Sequence, residues 1–163
     1  MKKLNLGCGG DYKPGWINLD NDKNVKADVY HDLEKLPYPF KSNEIEETFI
    51  KHLFEHLSSP LEFLEELWRI SKNKASIVII VPHFSSRGAW GDLTHKRAFS
   101  SKAFEIREYY FKKAKFSIDK IRFRINSMRF LEPLLNINPL ITDSFLCKFL
   151  PVSEIEVHLR IKK

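Results

Sequence analysis

Three glycines in four positions, Gly7, Gly9 and Gly10, follow the apolar stretch Leu4-Asn5-Leu6 close to the amino terminus. Lacking Cβ, they let backbone amides come up against a ligand and reach dihedrals closed to other residues. Further along, charged groups and imidazoles recur wherever an apolar run stops. Asp20 closes "GWINLD", Asp32 follows "ADVYH", Lys51 and His52 follow "IEETFI", and His83 follows "IVIIVP". A carboxylate placed like Asp20 can accept both hydroxyls of a ribose and disfavours a ribose bearing a 2′-phosphate. A glycine turn with a ribose acid is the equipment for a nucleoside-like ligand.

Two further groupings could do chemistry. His52-Leu53-Phe54-Glu55-His56 spells H-x-x-E-H, a zinc-peptidase pattern that needs both imidazoles on one helical face with the glutamate beside a metal-bound water. Here His52 ends a strand-like run and the next helix starts only at Ser59, so the pattern straddles a turn and no third ligand stands out. A zinc hydrolase using His52, Glu55 and His56 is therefore the minor alternative; no metal is expected, and Glu55 and His56 are read as braces for the loop. The second grouping lies in the long aperiodic segment "HFSSRGAWGDLTHKRAFS", about residues 83–100, whose length marks a lid or acceptor-binding segment. In it His95, oriented by Asp92, could take a proton from an acceptor hydroxyl, or could simply pin the lid. Arg97 would clamp an anion, with Trp90 and Phe99 as walls. Cys8 reads as a small packing residue, since nothing near it in sequence would lower its pKa.

The elements that must hold these groups alternate between strand and helix. Residues 3–6, 16–19, 27–30 and 45–51 read as short strands, and 31–44 as a proline-punctuated loop. Ser59, Pro60 and Glu62 have the spacing of a capping box at the start of a helix, with Leu61, Leu64 and Leu67 or Trp68 as its apolar stripe and Glu62, Glu65, Glu66 and Arg69 outward. "ASIVIIVP", 75–82, is a β-branched run with the pattern of a central parallel strand buried on both faces. A helix is expected over about 101–113. Residues 116–125 alternate with a change of parity that predicts a bulge near Asp119, and 154–161 alternate cleanly, so the two together suggest an antiparallel edge. Residues 128–151, rich in leucine, isoleucine and phenylalanine, read as one or two helices covering the sheet; otherwise their surplus apolar surface would meet a homodimer partner, a lipid-linked acceptor or a bilayer surface.

This alternation predicts a three-layer α/β sheet with its ligand beyond the carboxyl ends of the strands. The dinucleotide fingerprint is incomplete, because "GCGGDY" puts Tyr12 where the third glycine belongs. Only nine residues, Gly7 to Gly15, separate the first two strands. An ordinary crossover with a helix takes at least about ten to twelve.

Taken in order, "LNLGCG", the acid of "GWINLD", "HDLEKLPYPF", "IKHLFEHL" before a helix, "IVIIVPH" and the later "DLTHKRAF" resemble the class I S-adenosylmethionine-dependent methyltransferases, in particular a short bacterial methyltransferase-11-like branch. The motifs cover about residues 4–100. The resemblance implies a Rossmann-like methyltransferase sheet, mostly parallel with an antiparallel last strand and an abbreviated first crossover. It further implies S-adenosyl-L-methionine as cofactor, with Leu6, Gly7, Cys8 and Gly9 along its methionine part and Asp20 on the ribose. Asp32 and Leu33 would meet the adenine edge, and Lys51 and His52 would border the sulfonium and carboxyl tail. Tyr12 or Trp16 would cover the cofactor in place of the missing first helix. By analogy, the acceptor is a small molecule or a glycan, and a noncatalytic cofactor-binding protein is the alternative.

At 163 residues the chain is expected to be a single domain, 1–163. Its 27 Lys and Arg against 21 Asp and Glu leave +6, a tilt toward anionic partners. The basic residues are scattered and form no basic-aromatic cluster, so nucleic acid is not expected. Two cysteines far apart and a start without an apolar leader point to a cytoplasmic protein.

Overall fold

The computed structural model describes residues 1–105, 110, 111, 113–150 and 152–163. Their strands are β1 (Lys3–Leu6), β2 (Ile17–Asp20), β3 (Val29–Tyr30), β4 (Ile45–Lys51), β5 (Ser71–Pro82), β6 (Lys115–Arg124) and β7 (Glu154–Lys162). They form one seven-stranded sheet in the order β3-β2-β1-β4-β5-β7-β6. Neighbours from β3 to β5 are parallel, and β7 runs antiparallel between β5 and β6. The predicted bulge is present: the β6–β7 register shifts between Ile118 and Lys120, where Asp119 receives two bonds from the Arg160 guanidinium.

Helix α1 (Pro60–Ile70) packs Phe63, Leu64, Leu67 and Ile70 into one core with Leu4, Leu6, Leu19, Ile50, Ile77, Ile79 and Val81. The capping box does not form, since Ser59 makes no side-chain cap bond. The apolar stripe is also rotated from its expected place: Leu61 is exposed and Glu66 is buried. Glu66 accepts from the Tyr38 amide at 2.6 Å and from Arg69 at 2.7 Å, and Arg69 donates onward to the Tyr38 and Phe40 carbonyls. Burial pushes the Glu66 carboxyl up, but Arg69 and the amide outweigh it and hold the group below the usual carboxylate range. One ion pair thus ties the loop over 31–44 to α1.

The opposite face of the sheet differs. Alternation puts Asn5, Phe49, Ser76 and Val78 there, and the last three are only half-buried, so β5 is fully buried on one face rather than on both. The reason is the short first connection: residues 7–16 contain no helix. A side-chain network substitutes for it. Asn5 Nδ2 donates to the Asp11 carbonyl and to Asn18 Oδ1, Asn18 holds the Lys13 backbone through both its donor and its acceptor, and Lys13 Nζ lies 4.3 Å from the centre of the Phe49 ring.

After β5 come a short helix α2 (Arg87–Gly91) and a single 3-10 turn, Ser101–Phe104. Of the helix expected over 101–113, Ser101–Phe104 form that 3-10 turn and Tyr110 is again 3-10, while residues 106–109 and 112 lie outside the described residues. Short helices α3 (Glu132–Leu135) and α4 (Pro139–Ser144) follow β6. They brace the edge strand: Asn136 brackets the Phe123 backbone, accepting from its N–H and donating to its carbonyl. His83, fully buried at the end of β5, bonds Asp143 of α4 through Nε2 at 2.9 Å, and the same carboxylate takes the Ser101 amide and hydroxyl.

Candidate functional site

The order of strands reverses at β1, which has β2 on one side and β4 on the other. In such sheets the crevice beyond the carboxyl ends at the reversal receives the ligand. A cavity of about 400 Å³ lies there, lined by Gly7, Gly9, Asp20, Asn21, Asp32, Leu33, Glu34, His52, Leu53, His56 and Leu57. A larger hollow of about 640 Å³ sits at the far edge, between β6 and α3, away from the glycine turn.

Gly7 and Gly9 have φ of +64° and +46°. At Gly7 a Cβ would also stand 3.2 Å from the Leu53 side chain, so both the dihedral and the space disfavour other residues. The turn is hung from β2: the Gly7 and Cys8 amides donate to the Leu19 carbonyl, and Gly9 N–H donates to Asp20 Oδ2 at 2.8 Å. Asp20 Oδ1 accepts from the Asp22 amide at 3.0 Å. Each oxygen therefore has one fixed partner and a lone pair to spare, since a carboxylate offers about four acceptor positions. Asp32 Oδ1 accepts from the Glu34 amide at 3.0 Å, so this side chain shapes its turn as well as lining the cavity.

Six of the expected cofactor residues, Gly7, Gly9, Asp20, Asp32, Leu33 and His52, line the cavity, and three do not. Leu6 is in the core, and Cys8 is buried with Sγ toward the Lys26 carbonyl; burial and then Asp20 push its thiol up, as suits a packing residue. Lys51 is exposed at the end of β4 and outside the lining. Tyr12 and Trp16 are outside it too: the Tyr12 hydroxyl donates to Asp28, and Trp16 lies under Lys3. Sequence reasoning missed Asn21, Glu34, Leu53, His56 and Leu57 as lining residues. Asn21 and Glu34 each stand within two positions of a residue that was named.

His52 has φ +52°, unusual for a residue with Cβ. Its Nε2 is 2.9 Å from Glu154 Oε1 and its Nδ1 is 3.3 Å from Glu55 Oε1. These two carboxylates, Glu154 first, raise its pKa to about 9, so the ring is a cation at neutral pH. With both nitrogens protonated and engaged, His52 has no lone pair for a metal. No helix spans residues 52–58 either, so the H-x-x-E-H geometry is not formed.

The 83–100 segment docks on that turn. Lys96 N–H donates to the Glu55 carbonyl, Lys96 Nζ reaches Glu34 and Ser58, and Arg97 donates to the Ser58 carbonyl. Arg97 thus clasps this segment to the turn. His95 is brought against His56 with ring centres 4.7 Å apart. Asp92 does not orient His95, because the shortest distance between them, 3.8 Å from Nε2 to Oδ2, exceeds a hydrogen bond. The Ala89 carbonyl orients it instead, at 3.2 Å from Nδ1, while Asp92 Oδ1 accepts from the Thr94 amide and hydroxyl.

No family model matches the chain, and no curated protein does. Solved structures do. An S-adenosylmethionine-dependent methyltransferase from Archaeoglobus fulgidus superposes with a TM-score of 0.64 at 19% identity, covering 98% of this chain and 85% of that one. The chain has the class I methyltransferase fold. A plantazolicin methyltransferase in complex with SAH matches with a TM-score of 0.57 at 16% identity, covering 99% of this chain and 76% of that one. The cyclase SpnF shares the fold as well, with a TM-score of 0.64 at 12% identity over 99% of this chain and 74% of that one.

Proposed function

We propose that the chain is an S-adenosylmethionine-dependent methyltransferase acting on a small-molecule or glycan acceptor. The observation that carries this reading is Asp20: its carboxylate closes β2 and lines the same cavity as the Gly7–Gly9 turn, with lone pairs left for two ribose hydroxyls. Bound there, S-adenosylmethionine would supply a methyl group on a sulfonium: an acceptor lone pair would bond to the methyl carbon as the carbon–sulfur bond breaks and the neutral thioether leaves. The chain's own contribution is alignment. The glycine turn admits the ligand to the backbone, and the Leu33, Leu53 and Leu57 side chains exclude water. For a hydroxyl acceptor, His95 is the proton acceptor we propose. Its Nδ1 donates to the Ala89 carbonyl, which leaves the lone pair on Nε2.

Residues 128–149 support a lipid-linked form of that acceptor. Phe130, Ile137, Leu140, Phe145 and Phe149 are exposed, with Arg129 and Lys148 among them, a combination suited to an anionic membrane surface. No helix of the described residues is long and apolar enough to cross a membrane. Both cysteines are unpaired and buried, which suits a reducing compartment, and we assign the protein to the cytoplasm.

A noncatalytic binder is the second reading, favoured by the helix-free first crossover. Isothermal titration with S-adenosylmethionine and its demethylated product tests the first step, and absence of binding to either overturns both readings. Methyl transfer to supplied acceptors then separates enzyme from binder.

A further inference from the structure

We infer that Glu55, His56 and His95 form a divalent transition-metal site at the border of the cofactor cavity. One ligand atom from each lies within 4.8 Å of the other two, close enough for small rotations to bring all three onto one ion. His52 is not part of the site, since its nitrogens are occupied by Glu154 Oε1 and by Glu55 Oε1, which leaves Glu55 Oε2 for the ion.

The protons decide what these three groups can do. The Ala89 carbonyl only accepts, so His95 Nδ1 carries a hydrogen and Nε2 a lone pair. The Thr94 hydroxyl gives its single hydrogen to Asp92 Oδ1 at 2.7 Å, and it therefore accepts from His56 Nδ1–H at 3.0 Å, which leaves His56 Nε2 with a lone pair as well. Glu55 is 1% exposed, and its Oε2 has no hydrogen-bond partner among the described residues. Among the described residues no donor reaches Glu55 Oε2 or either imidazole Nε2, and a cation is the partner that would satisfy all three. Each imidazole is held through Nδ1 by an oxygen acceptor, the outer support typical of ligating histidines. Asp92 Oδ2, 3.8 Å from His95 Nε2, is a further oxygen within reach.

Two imidazoles and one carboxylate suit Zn²⁺, Co²⁺ or Fe²⁺ and do not suit Mg²⁺ or Ca²⁺. The ion would staple the 83–100 segment to the turn after β4. Because His56 lines the cavity, it would also face the acceptor side, where it could hold an acceptor oxygen and promote loss of its proton. That use rests on the methyltransferase reading; the site itself does not. In the loaded protein His95 is a ligand rather than a base.

The test uses the full chain stripped with chelator. Titration with Zn²⁺ and the visible absorption of a Co²⁺ adduct should give one ion per chain, with affinity at least about 10- to 100-fold weaker in His56→Asn and His95→Asn. Glu55→Gln should weaken it too, and His158→Ala should leave it unchanged. Circular dichroism of metal-free variants checks folding; if Glu55→Gln misfolds, the two histidine variants carry the test. No Zn²⁺ or Co²⁺ binding, or binding lost in His52→Ala yet kept in His95→Asn, overturns the proposal. Cofactor titration of the same stripped protein is a separate readout: metal without cofactor sinks the methyltransferase reading alone, and cofactor without metal sinks this one alone.

Discussion

Asp20 does two jobs with one carboxylate, fixing the glycine turn through Gly9 N–H and presenting its remaining lone pairs to the cavity. Asp20→Ala is therefore expected to weaken S-adenosylmethionine binding by about 1 to 3 kcal/mol, read by calorimetry; unchanged affinity removes Asp20 from the site. Gly7→Ala meets both a left-handed dihedral and the Leu53 side chain, and should lower unfolding stability in a denaturant titration by about 1 to 3 kcal/mol. His52 predicts a pH dependence. Its folded pKa, about 9, lies above the ordinary value, so its contribution is complete below about pH 6.5 and is lost as pH rises through 9. Its ring is 40% exposed, and solvent screening limits the effect to about 1 kcal/mol. Unfolding midpoints measured from pH 6 to 10 should show that loss in the native chain and lack it in His52→Gln.

Among the elements, α1 shows how a helix can be expected at the right place and turned the wrong way. Its start at Pro60 agrees with the sequence, because proline has no amide to satisfy at the first turn. Its orientation was set by Phe63 and Ile70, whose burial outweighs that of Leu61, and this rotation carried Glu66 inward. A buried carboxylate needs partners, and Arg69 with the Tyr38 amide provides them. Glu66→Ala should cost about 2 kcal/mol of stability through the unpaired Arg69 and Tyr38 groups. Hydrogen exchange should then speed up in the 36–41 loop before it does in the sheet, and uniform exchange across both would refute the link.

For the whole molecule, the decisive feature is a sheet with one thick helical face and one face held by a side-chain network. The Asn5–Asn18 pair makes the short first crossover workable, because two buried amides satisfy the loop backbone that a helix would have satisfied internally. The surplus apolar surface over 128–149, set in a chain of net charge +6, predicts binding to vesicles containing anionic lipid that weakens as salt is raised. Phe130→Ser with Phe149→Ser should abolish it. Salt-independent self-association without vesicle binding would instead mark this surface as a dimer face.

Local pattern was enough for the strands, the bulge at Asp119, the glycine turn and the acid at the end of β2, because each depends on residues near one another in the chain. Strand order, the burial of Glu66, the cation at His52 and the meeting of His56 with His95 were decided only by the tertiary structure. Each of those requires side chains far apart in sequence, such as His52 and Glu154, to share one dry or charged neighbourhood. No local periodicity encodes that neighbourhood, since the free energy of a buried charge or an unpaired oxygen is set by what the rest of the fold brings beside it.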